Sequence, residues 1–245
     1  MAAGGESPVH QFQVFDLIPI KLGKVDLSFT NASLWMVVAV GLIVLVMTLG
    51  ANRRALIPGR LQSLGELGYD FIANLVRENV GSEGKKYFPF IFTLFMFVLF
   101  CNVLGMVPYS FSVTGQIIVT FALALTVFIG VTIIGIAKNG IGFLRLFAPA
   151  GVPIFVLPLL IPIEIISYFV RPVSLSVRLF LNIMVGHTML QVFAGFVILL
   201  GFAGIGPLIF IVVFIGFELF VAVLQAYIFA ILSCLYLHDA LHPHH

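Results

Sequence analysis

Charged residues are scarce in this sequence. Of its 245 residues, 9% are Asp, Glu, Lys or Arg and 61% are hydrophobic, and the mean hydropathy is +1.20. A soluble domain carries about 25% charged residues, because its surface must be solvated. The composition therefore excludes an ordinary soluble domain and favours one integral membrane domain. The net charge of +2 gives no indication of a nucleic acid partner.

Patterns typical of disulfides, metal sites and nucleotide sites are also missing. Cys101 and Cys234 lie inside apolar runs, without disulfide or metal-ligand spacing. Four histidines resemble a metal site but lie in a tail that we expect to be solvated: His238, His242, His244 and His245. The sequence contains no Walker A motif, no GxxxG pair and no internal repeat. We therefore expect neither a cofactor nor a metal.

Three apolar runs, 34–49, 87–107 and 117–137, have lengths suited to membrane spans. About 20 helical residues cross a hydrocarbon layer of about 30 Å, and unbroken apolar runs without alternation favour helices. The second span is expected to end at Pro108. Residues 1–33 have no continuous apolar core, so no signal peptide is predicted. Because the positive-inside rule places the loop after the first span in the cytoplasm, this N-terminal segment is expected to be external.

The segment 51–86 between the first two spans is basic. It contains six of the twelve Lys and Arg residues: Arg53, Arg54, Arg60, Arg77, Lys85 and Lys86. Its apolar residues recur at spacings of three and four: Leu61, Leu64, Leu67, Phe71 and Leu75. This pattern predicts an amphipathic helix on the membrane surface. The positive-inside rule places it, together with the loop 138–145, in the cytoplasm.

Residues 162–239 predict two long helices joined as a hairpin. The apolar piece before them is interrupted by Pro149, Pro153, Pro158 and Pro162, which favours an interfacial or re-entrant entry. The first helix is expected from Pro162 to about Leu200, kinked or eased at Pro172, and the second ends near Asp239. The turn between them is predicted from Gly201, Gly204, Gly206 and Pro207. A helix of 39 residues measures about 58 Å, so it must tilt, bend or lie partly in the membrane plane. The predicted fold is all-α, with about five membrane helices and one surface helix.

One face of the first long helix is polar. Side chains at steps of three or four residues share this face: Glu164, Ser167 or Tyr168, Arg171, Ser174, Arg178 and Asn182. A charged side chain at bilayer depth costs about 3 kcal/mol or more. The stripe must therefore face protein or water.

Counting from Gly204 places two further polar residues at similar depth. His187 lies 17 residues before Gly204 and Glu218 lies 14 residues after it, so antiparallel arms bring them within about 5 Å in depth. The same count places Asn182 level with Gln225. With the turn outside, His187 and Glu218 lie toward the exterior, Glu164 toward the cytoplasm and Arg178 near the middle.

This order predicts an ion pathway. Histidine and a buried carboxyl group exchange protons near neutral pH, whereas arginine stays protonated. Arg178 is therefore a barrier that attracts a mobile carboxylate and forces it to ionise. No such carboxylate stands beside Arg178 on its own helix, so a partner should supply it.

Other interpretations remain open for these residues. Arg171 can extend to the cytoplasmic interface, and Glu164 can be an interface residue or the partner of Arg171. His187 and Glu218 can form a static buried pair, while Asn182 and Gln225 can be interhelical hydrogen-bonding groups. Two rival functions are a self-contained secondary transporter, which predicts inverted repeats, and a structural anchor of a membrane complex.

Two motifs resemble those of subunit a of F-type ATP synthases. Residues 171–182 (RPVSLSVRLFLN) are similar to that family's arginine motif, and residues 224–229 (LQAYIF) to its last-helix motif. Asn102 followed by Pro108 also fits the family pattern. The resemblance extends from the first span to Tyr236.

The resemblance implies a stator subunit, not catalytic alone, beside a rotating ring of c subunits. Two offset aqueous half-channels would reach the ring carboxylate from opposite sides. Arg178 would be the essential arginine, with Asn182 and Gln225 as neighbours. His187 and Glu218 would line the outer half-channel; some bacterial relatives have this acid and histidine in the opposite order.

The resemblance also places Glu164 toward the cytoplasmic exit and leaves supporting roles for Arg171, Ser174 and Asn102. Where some relatives carry an acid in the second span, this chain has Gly105. Expected partners are the c-subunit ring, b-type peripheral stalk subunits and the lipid bilayer, with no nucleic acid. A bacterial inner membrane is favoured and a mitochondrial inner membrane stays open.

Overall fold

The fold was analysed in a computed structural model, which describes residues 12–19, 21–22, 25–26, 28–51, 59–107, 110–147 and 155–241. Six α-helices account for most of these residues: α1 (Asn31–Ala51), α2 (Arg60–Val80), α3 (Phe88–Gly105), α4 (Ile117–Asn139), α5 (Leu157–Leu200) and α6 (Ile205–Leu241). Short 3-10 helices join or extend them: Ser82–Lys86, Val113–Gly115, Gly140–Leu146 and Gly201–Gly204. Several residues named in the predictions from sequence lie outside the described ranges: Arg53, Arg54, Pro108, Pro149, Pro153, His242, His244 and His245.

The all-α membrane fold is confirmed. Four apolar stretches are long enough to cross a membrane: Asn31–Gly50, Phe88–Gly105, Ile117–Asn139 and Leu157–Leu241. The last has 85 residues and contains both α5 and α6, which gives five membrane helices with α2 as the additional amphipathic helix. Large hydrophobic side chains are exposed along α1, α4, α5 and α6, as expected for helices whose solvent is lipid, whereas in α3 Val103 is the large hydrophobic residue that is exposed.

The described chain folds as two compact units. Unit 1 contains the described residues of 1–48, 96–116 and 179–226, and unit 2 those of 49–95, 117–178 and 227–245. In unit 1 the second half of α5 runs beside the first half of α6, where the rings of Phe193 and Phe210 stack with centroids 4.1 Å apart. In unit 2 the first half of α5 meets the end of α6 through Arg171 and Asp239.

Helix α2 confirms the predicted amphipathic segment but changes its apolar face. Leu75 is buried as expected, whereas Leu67 and Phe71 are exposed. The side chains of Leu61 and Leu64 lie outside the described part of the structure. The buried face consists of Ile72, Leu75, Val76 and Val80. The spacing of the apolar residues predicted the face that contains Leu67 and Phe71, whereas the face that packs begins one residue later, at Ile72.

Helix α5 begins at Leu157, five residues before the predicted start. We expected Pro162 at the first helical position, where its missing N–H costs nothing. It lies inside the helix instead, as does Pro172. Interior prolines are tolerated in membrane helices, where neighbouring groups satisfy the freed carbonyls. The predicted entry piece is therefore partly helical.

The turn between α5 and α6 forms at the predicted glycines. Gly201 has φ +54°, a left-handed conformation that glycine adopts without strain. A Cβ added to Gly204 would lie 2.6 Å from the carbonyl oxygen of Val197, so this position also requires glycine. Gly206 and Pro207 belong to the first turn of α6.

The segment before α1 forms two small antiparallel sheets. Strand β1 (Asp16–Ile18) pairs with β4 (Phe29–Thr30), and β2 (Lys21–Leu22) pairs with β3 (Val25–Asp26). Asn31, the first residue of α1, donates to the carbonyl of Gln13 and accepts from the N–H of Phe15. These contacts hold residues 13–15 against the start of α1.

Candidate functional site

The turn brings His187 and Glu218 together in unit 1. The distance along the chain from His187 to Gly201, where the 3-10 turn begins, equals that from Gly204, where it ends, to Glu218. The two residues are therefore level across the turn. The His187 Nε2 atom lies 3.7 Å from Glu218 Oε1. The predicted juxtaposition of these two residues is confirmed.

The Glu218 carboxylate is deeply buried. Its side chain is 3% exposed, against 16% for His187. The carboxylate packs against Gly186, where an added Cβ would lie 2.8 Å from Glu218 Cδ. Among the described residues, neither Glu218 oxygen has a hydrogen-bond partner, nor does His187 Nε2. Buried polar groups are usually hydrogen-bonded, so this acid and histidine are unusual among the described residues.

Other buried polar atoms without hydrogen-bond partners lie in the same unit. The residues that carry them are Asn102, Ser112, Thr114, Asn182, Gln191 and Gln225. Three of these, Ser112, Thr114 and Gln191, were not selected from the sequence. Gln191 follows His187 by one helical turn, so helical spacing could have identified it. Ser112 and Thr114 lie around the 3-10 helix after α3, where no periodic pattern marks them.

Asn102 connects α3 to α6 within unit 1. Its Nδ2 donates to the carbonyl of Ala222 at 3.1 Å, and its side chain is fully buried. Asn182 and Gln225, predicted to face each other, form no hydrogen bond with one another, since Asn182 Nδ2 and Gln225 Nε2 both lack partners in the described structure.

Arg178 is exposed on α5. Within the part of the chain that the structure describes, it forms no salt bridge. Val170, Val173 and Leu181 on the same helix are exposed as well. Arg178 is therefore a permanent cation on a helix whose exposed side chains are largely aliphatic. Such a position is stable only against a polar or charged partner.

Arg171, two helical turns earlier on α5, has a partner. Its Nη1 donates to Asp239 Oδ2 at 3.0 Å. Its guanidinium carbon lies 5.8 Å from the ring centroid of Tyr168 and 5.2 Å from that of Tyr236. Tyr168 is fixed in turn by a hydroxyl–hydroxyl bond of 2.6 Å to Thr132. The alternative in which Glu164 is the partner of Arg171 is thus wrong.

The remaining predicted residues have simpler surroundings. Glu164 is half-buried near the start of α5. The hydroxyl of Ser174 is exposed and donates to the carbonyl of Arg171, one turn earlier. Gly105 packs against Ser112, whose Oγ would lie 2.9 Å from an added Cβ. Within the described ranges, no group of three His, Cys, Asp or Glu residues is placed to hold a metal ion.

Known proteins resemble this chain over nearly its whole length. A sequence model of the family described as ATP synthase A chain matches residues 33–238. The protein named ATP synthase subunit a from Parvibaculum lavamentivorans is 55% identical over 260 residues, which cover all of both chains. That of Pelagibacter ubique is 56% identical over 241 residues, covering 98% of this chain and 99% of the relative. That of Paramagnetospirillum magneticum is 54% identical over 245 residues, covering 97% and 99%.

The match to the family model and the similarity to individual relatives agree. The family model covers nearly all of the five membrane helices and includes Arg178, His187 and Glu218, and the identities extend along the full chain. This chain is a multi-pass membrane protein and belongs to the ATP synthase A chain family.

Proposed function

We propose that this chain is the proton-translocating stator subunit of a rotary ATP synthase in a bacterial inner membrane. It has no catalytic role alone. It provides two offset half-channels to a carboxylate on a rotating ring of c subunits, and Arg178 separates the two. A b-type peripheral stalk would hold it in place against the ring.

The observation that carries this proposal is the contrast between Arg178 and Arg171. Arg171 has a carboxylate and two aromatic rings around it, whereas Arg178 is exposed without an ion-pair partner in the described chain. Arginine does not release its proton. An exposed arginine without an ion-pair partner in the described chain therefore supports a carboxylate that arrives from another subunit, ionises there and leaves.

The proton route follows from the groups that titrate. His187 and Glu218 form the buried pair through which protons reach the ring carboxylate from the outer side. Asn182 follows Arg178 by one helical turn, and its free amide, with that of Gln225, would bind the same carboxylate. Glu164 would face the cytoplasmic exit. Arg178 blocks direct passage between the two sides because a fixed cation repels a free proton.

Replacement of Arg178 by Ala tests the proposal. The complex carrying this variant should lose ATP synthesis driven by a proton gradient in membrane vesicles, and passive proton flux should persist or rise. Lys138→Ala is the matched control, because it removes a cation that pairs with Glu83 elsewhere in the fold. ATP synthesis at the parental rate in the Arg178→Ala complex would overturn the mechanism.

Copurification separates this function from its two rivals. A stator subunit should copurify with a ring of small membrane subunits, whereas a self-contained transporter should conduct without one. A structural anchor should also copurify, but its Arg178→Ala variant should retain ATP synthesis.

A further inference from the structure

Phe12 packs against the histidine of the buried pair. Its ring lies edge-on to the His187 imidazole, with centroids 6.1 Å apart and an interplanar angle of 71°. The two residues are far apart in the sequence, and Phe12 is 9% exposed. An aromatic side chain from the N-terminal segment is thus inserted beside a proton-exchanging group of the proposed pathway.

Two neighbours fix Phe12 from the segment between α3 and α4. Gln116 Nε2 donates to the Phe12 carbonyl at 2.6 Å. Gly115 leaves room for the ring, since an added Cβ would lie 2.6 Å from Phe12 Cε1 and 2.9 Å from Cδ1. Gly115, which leaves space for the ring, and Gln116, which donates to the backbone, together hold Phe12 in place.

The chain beyond Phe12 is held independently. Asn31 binds the backbone of both Gln13 and Phe15, and the N–H of Asn31 donates to the Phe15 carbonyl at 3.1 Å. The position of Phe12 is therefore determined from two sides, by Asn31 at the start of α1 and by Gly115 and Gln116 before α4.

We propose that Phe12 is a specificity-determining residue that covers His187 and keeps hydrated divalent cations away from the His187–Glu218 pair. Imidazole nitrogen and carboxylate oxygen are preferred ligands of Zn²⁺, and here they lie 3.7 Å apart. An uncovered pair of this kind would bind such ions and lose its capacity to exchange protons. A phenyl ring offers no ligand and excludes the hydrated ion.

The role of His187 and Glu218 in proton transfer rests on the proposed function. The shielding of His187 by Phe12 can be measured without it, by chemical modification of the imidazole. Diethyl pyrocarbonate modifies accessible imidazoles, and the modified residue is identified by mass spectrometry of peptides. In the full complex, Phe12→Ala should raise the modification rate of His187 several-fold and lower the Zn²⁺ concentration that half-inhibits ATP-driven proton pumping. Phe12→Leu, which keeps an apolar cover, should stay near the parental rate.

Gly115→Ala provides a second test from a different element. Its added methyl group displaces the Phe12 ring, so His187 modification should rise as in Phe12→Ala. Gly41→Ala is the matched control, because an added Cβ there meets nothing within 4 Å. His238, at the end of α6, is the internal reference and should react equally in all variants.

The proposal is overturned if His187 reacts at the parental rate in both Phe12→Ala and Gly115→Ala. It is also overturned if His238 modification rises in parallel, since that marks a general opening of the fold. The modification rates of His187 and His238 do not depend on Arg178. A normal rate of ATP synthesis in Arg178→Ala would therefore reject the stator mechanism and leave the shielding result standing.

Discussion

The Glu218 carboxylate lies against Gly186, the residue directly before His187. A side chain at position 186 would occupy the space of the carboxylate, with its Cβ 2.8 Å from Glu218 Cδ. The hairpin therefore brings acid and histidine together only because α5 carries glycine at this position.

Gly186→Ala should separate the pair. The methyl group displaces Glu218, and overpacking of this kind costs about 1–3 kcal/mol. We expect a lower melting temperature of the purified complex and slower proton flux. Gly195→Ala on the same helix is the control, because an added Cβ there has open space and alanine favours the helix by about 1 kcal/mol. Equal behaviour of the two variants would show that the close approach has no consequence.

Glu218→Gln should slow proton flux with little loss of stability. The amide matches the carboxyl group in size but cannot release a proton, and a positioned proton-transfer group contributes about 10²–10⁴-fold to a rate. Flux through membranes stripped of the catalytic sector should fall by a comparable factor. Glu83→Gln, at the ion pair with Lys138, is the control acid. Unchanged flux in Glu218→Gln would assign the pair a structural role.

The double variant that exchanges His187 and Glu218 should retain more proton conduction than either single variant. His187→Glu alone places two acids together and Glu218→His alone places two histidines together, whereas the double variant keeps one acid beside one histidine. We expect the double variant to conduct protons faster than both single variants. Additive losses in this cycle would show that the residues act independently.

The Arg171–Asp239 pair should contribute modestly to stability. Its side chains are 28% and 33% exposed, and pairs near a surface are worth about 0.2–1 kcal/mol. Contacts of a cation with an aromatic face add about 0.5–1 kcal/mol each, so Arg171→Gln should lower the melting temperature more than Asp239→Asn. The coupling in a double-mutant cycle should not exceed about 1 kcal/mol. A larger effect of Asp239→Asn would mean that the aromatic contacts are not the main support of Arg171.

The sequence predicted the contact between α5 and α6 near the glycine turn but did not predict the contact furthest from it, between Arg171 and Asp239. His187 and Glu218 were found because the glycines mark the turn and the helical rise is constant, so counting from Gly204 placed the two residues within about one helical turn in depth. Arg171 and Asp239 are not symmetric in this way, since Asp239 lies further from Gly204 than Arg171 lies from Gly201. The contact between Arg171 and Asp239 depends on packing within unit 2, which residue counts from the turn do not record. Counting alone could not identify Asp239.

Other features depend on packing that no local pattern records. The contact of Phe12 with His187 joins an aperiodic N-terminal segment to a distant helix. The buried face of α2 was misassigned in part because several apolar residues there, Leu67 and Phe71 among them, share a plausible spacing but remain exposed. Helix type and length follow from the sequence, whereas the choice among apolar faces follows from the neighbours.

The exposure of Arg178 without an ion-pair partner in the described chain has a consequence for the insertion and assembly of the protein. A copy that met lipid before its partner would hold a permanent cation against hydrocarbon at a cost of about 3 kcal/mol or more. A newly inserted chain would then either assemble early with the proposed ring or be degraded as an unassembled subunit. The residue that we propose as the barrier to free protons would thereby make an unassembled subunit the unstable form.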